Sequence, residues 1–446
     1  MTRVRRLSAL ACGLGLAAGT LGAQSAPRFP DLLLLSVDTL RSDRLSSAGY
    51  PRPTTPHLDR LLAAGFRFTH ARTVEPLTNP ALATLLTSVP PHVHGATRNG
   101  LPARAGLPSL PRLLAKRGYR TGAFLGNWTL KNPLSGLAPH WQTYEVVVSR
   151  KRWFGLVRDE ARARDLTEAA LDWVEKLRAS EPGRPYALWI HYVEPHAPYR
   201  MHEELAERLG IEPKNAPPSD RYDTEVAAVD AEIGRLLAEL DRAGGGRGRL
   251  TVFLVDHGEA FGEEGEQGHG RRLHEPTLRT PLGFVWPGRI AAGTSPAPAS
   301  TLDVAPTVLA LLGLPPHPYF RGADLGPALA GRPVELPPLC LQAHKGAVQS
   351  VQRAQRARRA GLLEVGLLVG GELEVVNLAH GTRRLYPLGA AAGERSDPVE
   401  SSSAPSAALE SCLEEIRAGL EEADRYVPPE LDAESIEQLR ALGYLD

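Results

Sequence analysis

Three short apolar runs, each closed by a side chain able to bind a cation or move a proton, recur along the chain: Asp31-Leu32-Leu33-Leu34-Leu35-Ser36-Val37-Asp38, Tyr186-Ala187-Leu188-Trp189-Ile190-His191 and Leu250-Thr251-Val252-Phe253-Leu254-Val255-Asp256. A continuous run of this length, without polar alternation, predicts a strand buried on both faces, as in a parallel sheet. Between these runs the period changes. From Asp223 to Arg242 the residues Val226, Val229, Ile233, Leu236, Leu237 and Leu240 recur at helical spacing. Leu302 to Gly313 reads as another helix, with a polar start, Pro306 in its first turn and a glycine stop. Strands alternating with helices predict a doubly wound α/β sheet that binds ligands beyond the carboxyl ends of its strands. Asp38 and Asp256 are therefore expected to point at one site.

The pattern changes again after Pro333. Pro337-Pro338 punctuates the chain, Leu339-Cys340-Leu341 reads as a short strand, and Leu362–Val369 with Leu373–Leu378 predicts a hairpin around Gly370-Gly371. Ser396 to Ser406 reads as a flexible connection and Ala408 to Ala423 as a closing helix. Since a single core stops growing near roughly 250–300 residues, a 446-residue chain should carry a large lobe and a smaller one. We place the catalytic lobe at 29–332 and a small sheet-and-helix lobe at 333–446.

At the start, Met1-Thr2-Arg3-Val4-Arg5-Arg6 precedes an Ala/Gly/Leu-rich stretch that runs to about Ala23, the layout of an export signal over residues 1–23. The expected localisation is periplasmic or secreted. That stretch is short and broken by glycine, where a membrane span needs about 20 apolar residues, so no stable span is expected in the mature chain. Lys and Arg (51) balance Asp and Glu (51) and are interleaved with them, which argues against a nucleic-acid partner. Beyond the signal only Cys340 and Cys412 remain; they can pair in an oxidising compartment, and sequence leaves this open.

Candidate chemistry gathers in three places: Asp38 within Ser36-Val37-Asp38-Thr39-Leu40-Arg41, Thr78 within Glu75-Pro76-Leu77-Thr78-Asn79-Pro80-Ala81-Leu82, and Asp256-His257-Gly258-Glu259. Carboxylate oxygens suit a hard divalent cation, and an adjacent Asp and His after a strand can turn toward one ion. Such an ion would lower the pKa of the Thr78 hydroxyl and neutralise charge on a transferring group. Each acid alone equally suits a helix N-cap or a surface turn.

In order along the chain, these segments resemble the sulfatase branch of the alkaline phosphatase superfamily. Further landmarks are Tyr50-Pro51-Arg52-Pro53-Thr54-Thr55-Pro56, His191-Tyr192-Val193-Glu194-Pro195-His196-Ala197-Pro198-Tyr199, Gly268-His269-Gly270-Arg271 and Asp303-Val304-Ala305-Pro306-Thr307. The resemblance implies an alkaline-phosphatase-like α/β sandwich: a large mixed, mostly parallel sheet flanked by helices, plus a smaller C-terminal α+β lobe. It implies metal ligands at Asp38, Asp256 and His257, a nucleophile that also touches the metal at Thr78, and a contact to the transferred group at His196. Arg271 stands where the family carries a catalytic Lys, and Asn99 and His269 fall on substrate contacts. His191, His269, His274 and Glu194 can also supply a second metal or a leaving-group acid, or be hydrogen-bonded structure.

This chain also departs from the family pattern. Thr78 replaces the oxidisable Cys or Ser and Leu82 replaces the following Arg, so no formylglycine is expected. Thr39 replaces one metal carboxylate, and Asn127-Trp128-Thr129 replaces a Lys-x-His pair. A Thr with Asp, Asp and His is similar to the superfamily's phosphodiesterases and its phosphoethanolamine or glycerophosphate transferases, which use an unmodified threonine. The expected function is an exported hydrolase of a sulfate or phosphate ester, with phosphodiesters favoured, acting through Thr78 and a divalent cation (Ca, Mg, Mn or Zn). Its substrate is a small-molecule, glycan or lipid head-group ester. The alternatives are a transferase or a binding protein that kept the fold and lost the site. Trp128, Trp141 and Trp153 can line a substrate pocket or simply pack.

Overall fold

The structure is a computed structural model that describes residues 29–152, 157–244, 247–346, 361–387, 398–401 and 403–426. The expected export signal and Trp153 lie outside these residues.

The acid-ended apolar runs form the centre of an 8-stranded sheet. Strand Asp31–Val37 lies between Tyr186–Tyr192 and Arg249–Val255 and is parallel to both. Val37 stands level with Tyr192 on one side and Val255 on the other. This register brings Asp38, His191 and Asp256 to one end of the sheet. Arg120–Leu125 and Thr143–Val146 extend the sheet in parallel beyond Tyr186–Tyr192. On the opposite side Leu282–Val285 runs antiparallel beside Arg249–Val255, followed by Phe66–Phe68 and Gly293–Ser295. The sheet is thus mixed and mostly parallel.

Alternation within the central strand explains its unbroken apolar run. Leu32 and Leu34 enter one core with Leu82, Leu85 and Leu86 of helix Thr78–Thr87 and Val304 and Val308 of helix Val304–Leu311. Leu33, Leu35 and Val37 enter a second core with Leu166, Ala170 and Val174 of helix Ala163–Ser180 and Val226, Val229, Ile233, Leu236 and Leu240 of helix Pro218–Arg242. A strand with cover on both faces has no solvent side to mark with polar residues.

Past residue 333 the chain builds a 5-stranded antiparallel sheet in sequence order: Leu339–His344, Leu362–Val369, Glu372–Asn377, Arg383–Pro387 and Val399–Ser401. Its last strand falls inside the stretch expected to be a flexible connection. Ladder pairing with Arg383–Leu385 draws Val399–Ser401 into the sheet, a contact local polarity cannot reveal. Helix Ala407–Ala423 covers one face through Leu409, Cys412, Ile416 and Leu420. The other face closes on the large lobe, where Leu341, Leu373, Val375 and Tyr386 meet Val74, Leu273, Leu278 and Leu302. Cys340 and Cys412 are joined as a disulfide that fastens the closing helix to the sheet's first strand. Among the described residues no helix is long and apolar enough to cross a membrane.

Candidate active site

The loops at the carboxyl end of the central strands bring Asp38, Asp256 and His257 together. One ligand atom from each lies within 4.8 Å of the others, and all three residues are buried. His257 Nε2 is 3.7 Å from Asp38 Oδ1 and 3.5 Å from Asp256 Oδ2. Local backbone geometry creates this convergence. Thr39, immediately after Asp38, takes a left-handed conformation (φ 54°), and its N–H donates to Asp256 Oδ1 at 3.3 Å. Gly258, after His257, passes so close to Pro276 that a Cβ would lie 2.0 Å from the Pro276 carbonyl oxygen. Only glycine fits there.

Thr78 opens helix Thr78–Thr87, with its Oγ1 3.3 Å from His257 Nε2. The expected nucleophile therefore sits beside the expected ligands, at a helix N-terminus where backbone N–H groups and the dipole favour an anion. Asn99 is buried next to this helix. Its Oδ1 accepts from the Asn79 N–H at 3.0 Å, while its Nδ2 is buried without a partner. Leu82, in place of an Arg, is fully buried in the apolar core.

Burial sets two carboxyls against each other. Asp256 is pushed well above the usual carboxylate range, first by burial and then by the charge of Asp38. Asp38 is held below that range despite its burial by His191, whose Nε2 lies 3.4 Å from its Oδ2, and by the nearby imidazoles of His196 and His257. Burial, reinforced by His269, pushes His257 down to about 3, which leaves a neutral imidazole. Asp38 Oδ1 and Asp256 Oδ2 are buried with no hydrogen-bond partner. Two orphaned carboxylate oxygens and a neutral imidazole fit a divalent cation, which would satisfy both oxygens and remove their conflict.

Neighbouring side chains hold the ligands in place. Asn127 Nδ2 donates to Asp38 Oδ2 at 2.5 Å, and its Oδ1 accepts from the N–H and hydroxyl of Thr129. His191 Nε2 lies 3.4 Å from Asp38 Oδ2, while its Nδ1 is 2.9 Å from Ser36 Oγ, which also accepts from Trp189 Nε1. His191 thus supports Asp38 within the same site. Asn127 lies in the Asn127-Trp128-Thr129 segment, which departs from the pattern the chain resembles, and that departure is its signal in the sequence. Ser36 and Trp189 gave none, since both read as ordinary strand residues.

His269 Nδ1 donates to Glu259 Oε1 at 3.0 Å, and its ring lies 4.3 Å from that of His257. The His196 ring follows, 5.3 Å from that of His269. These three imidazoles form a row leading out from the buried ligands. Arg271 is exposed, two residues beyond His269. Glu194 lines a side cavity and caps helix Ala163–Ser180 by accepting from the Ala163 N–H. His274 is buried against Glu264, 3.8 Å away. Neither joins a second group of metal-capable side chains among the described residues. Trp141 stacks on Trp189 at 5.6 Å within the core.

A family model described as Sulfatase matches residues 30–314. Among curated relatives, arylsulfatase A of Homo sapiens is 28% identical over 382 residues, 73% of this chain and 70% of the relative. N-acetylgalactosamine-6-sulfatase of Canis lupus familiaris is 29% identical over 373 residues, 71% of this chain and 69% of the relative. Among solved structures, a phosphonate monoester hydrolase of Agrobacterium radiobacter superposes with a TM-score of 0.67 at 19% identity, over 89% of this chain and 96% of that one. Ps i-CgsB in complex with k-i-k-neocarrahexaose gives 0.67 at 20% identity, over 93% and 97%. With its alkaline-phosphatase-like fold and the match over most of the large lobe, the chain belongs to the sulfatase family and is a hydrolase of that family.

Proposed function

We propose that this hydrolase is an exported, divalent-metal-dependent enzyme that cleaves a sulfate or phosphate ester through an unmodified Thr78, with phosphodiesters preferred. The observation that carries the reading is Thr78 Oγ1 at 3.3 Å from His257 Nε2, at a helix N-terminus and beside two orphaned carboxylate oxygens. A secondary hydroxyl cannot become formylglycine by the usual route, so Thr78 acts as an alkoxide. A divalent cation held by Asp38, Asp256 and His257 would supply Lewis-acid polarisation of the Thr78 hydroxyl and of the ester oxygens.

The chain's own groups do the rest. Thr78 attacks in line at phosphorus or sulfur as the ester oxygen departs, water then cleaves the resulting Thr78 ester to release the acid and restore the hydroxyl, and the amides of the helix's first turn favour the charge that gathers there. His196 and His269, next in the row from His257, face the departing oxygen and hydrogen-bond or protonate it. Asn127 binds Asp38 where the family's Lys-x-His pair would grip the terminal oxygens of a sulfate monoester. Loss of those cationic contacts favours a diester, whose second organic arm replaces one charged oxygen. The names of the relatives, including an N-acetylgalactosamine-6-sulfatase and an ulvan-active sulfatase of Formosa agariphila, support a glycan-borne ester.

The test is a panel of aryl sulfate, phosphomonoester, phosphodiester and phosphonate monoester, each with Ca, Mg, Mn and Zn. Phosphodiester turnover well above aryl sulfate turnover is expected. An aryl sulfate split much faster than the phosphodiester under matched metal conditions overturns the preference.

A further inference from the structure

His269 sits on a stretch whose path secondary structure does little to set. Between Phe261 and Leu273 regular structure amounts to one short turn at Glu263–Gly265 and the two-residue pairing of Gln267-Gly268 with Ala260-Phe261. Gly262, Gly265, Gly268 and Gly270 all take positive φ, and so does Glu264, at 51°. A side chain disfavours that left-handed conformation, which persists where the surroundings hold it. The small lobe supplies the hold. Arg384 is buried and donates from Nη1 to Glu264 Oε2 at 2.9 Å and to the Tyr386 hydroxyl oxygen at 2.7 Å, while that hydroxyl donates to Glu264 Oε2 at 3.0 Å. Arg384 Nη2 donates to Oε2 of buried Glu364 at 2.6 Å, and the same oxygen accepts the Leu273 N–H at 2.8 Å. Glu264 and Leu273 lie on either side of His269 in the chain, so both ends of its segment are tied to one guanidinium.

We propose that Arg384, acting through Glu264 and Glu364, is a positioning residue for His269 and sets where that imidazole meets the departing oxygen. The inference rests on the ester-hydrolase reading above, in which His269 and His196 hydrogen-bond or protonate that oxygen. Glu259 Oε1, 3.0 Å from His269 Nδ1, orients the ring, whereas the two anchors decide where the backbone that carries it lies. Arg272 also approaches Glu264, at 3.3 Å, but it belongs to the same segment and moves with it. Arg41 holds Glu263 from the large lobe, Nη1 to Oε1 at 2.7 Å, which leaves the stretch from Glu264 to Leu273 to the small lobe. Arg384 comes from strand Arg383–Pro387 and is fixed independently of that stretch. A planar guanidinium fork reaches two carboxylates at once, which the point charge of a lysine does not.

If Arg384 served only to dock the lobes, its loss would slow every substrate alike. Positioning predicts a loss that grows with the basicity of the departing oxygen, because a general acid matters most for a poor leaving group. The test uses the full chain with its activating cation and aryl esters of the acid that the wild type cleaves, from nitrophenyl to unsubstituted phenyl. In Arg384→Met, kcat/KM should fall by about 100-fold for the phenyl ester and by less than about tenfold for the nitrophenyl ester. Tyr386→Phe removes one hydroxyl and keeps the ring in the core between the lobes, so it should show the same split at smaller size. Amide hydrogen exchange across residues 262–273 should quicken by about tenfold or more in Arg384→Met and to a lesser degree in Tyr386→Phe, with helix Thr78–Thr87 unchanged. Equal losses for both esters, or exchange at the wild-type rate in both variants, overturns the proposal. If the wild type splits no ester, the ester-hydrolase reading fails, and exchange alone decides whether Arg384 holds the segment of His269.

Discussion

Thr78 and Asn127 carry the sharpest residue-level expectations. Thr78→Ala removes the hydroxyl and little else from a buried first turn, so turnover should vanish while the denaturant midpoint stays close to wild type. Retained turnover in a folded Thr78→Ala protein would assign the attack to a water instead. Asn127→Ala takes from Asp38 its 2.5 Å donor. Supporting contacts of this kind are worth about 10- to 100-fold in metal affinity or activity, so the Kd for the activating cation should rise by that factor in a calorimetric titration. An unchanged Kd would make Asn127 a packing residue only.

At the scale of the element, Asp230 shows how one helix completes another. From helix Pro218–Arg242 it reaches the start of helix Pro56–Ala63 and accepts the N–H of His57 at 3.0 Å and of Leu58 at 2.8 Å. Thr55, at the N-cap position, makes no side-chain capping bond. Asp230→Ala should therefore cost about 1–2 kcal/mol, the usual worth of a cap. Burial, outweighing those two N–H groups, raises Asp230 to about 6 from an ordinary 3.8. The folded chain thus binds this proton more tightly than the unfolded one. The resulting stability is fully present below about pH 3.8 and is lost as the pH rises through about 6. Unfolding free energies from urea titrations of wild type and Asp230→Asn across that window should diverge by on the order of 1–3 kcal/mol, with the variant losing less as pH rises. Parallel curves would show that Asp230 titrates normally.

Across the whole molecule, the small lobe grips the segment that leads into Thr78. Glu75 is fully buried; it accepts from Gln342 Nε2 at 3.1 Å and lies 2.9 Å from His344 Nδ1, both on strand Leu339–His344. Removing a partner from a buried carboxyl leaves it unsatisfied, so Gln342→Ala should destabilise the chain by about 1–3 kcal/mol. It should also lower kcat, because Glu75 stands three residues before Thr78. A loss of stability with unchanged kcat would confine the contact to lobe docking. Chelation acts on the same scale: a cation that binds only the folded chain contributes about 2.7 kcal/mol at 100 times its Kd. EDTA should therefore lower Tm, and Asp256→Asn should blunt that response.

The sequence by itself determined the strands that run unbroken between two cores, the helices with a clear 3.6-residue period, and the Asp38, Thr78 and Asp256-His257 positions. Each rests on a local pattern: apolar runs ended by acids, periodic faces, or an ordered set of motifs. Only the tertiary structure decided what depends on distant neighbours. Strand register placed Val37 level with Val255 and so made one site of two acids more than 200 residues apart in the chain. Asn127 became the partner of Asp38, Trp141 went to the core, and Val399–Ser401 joined a sheet through its ladder. The physical reason is range. Periodicity records whether a side chain faces apolar surroundings, whereas hydrogen bonds and ion contacts form only where folding brings two remote groups within a few ångströms.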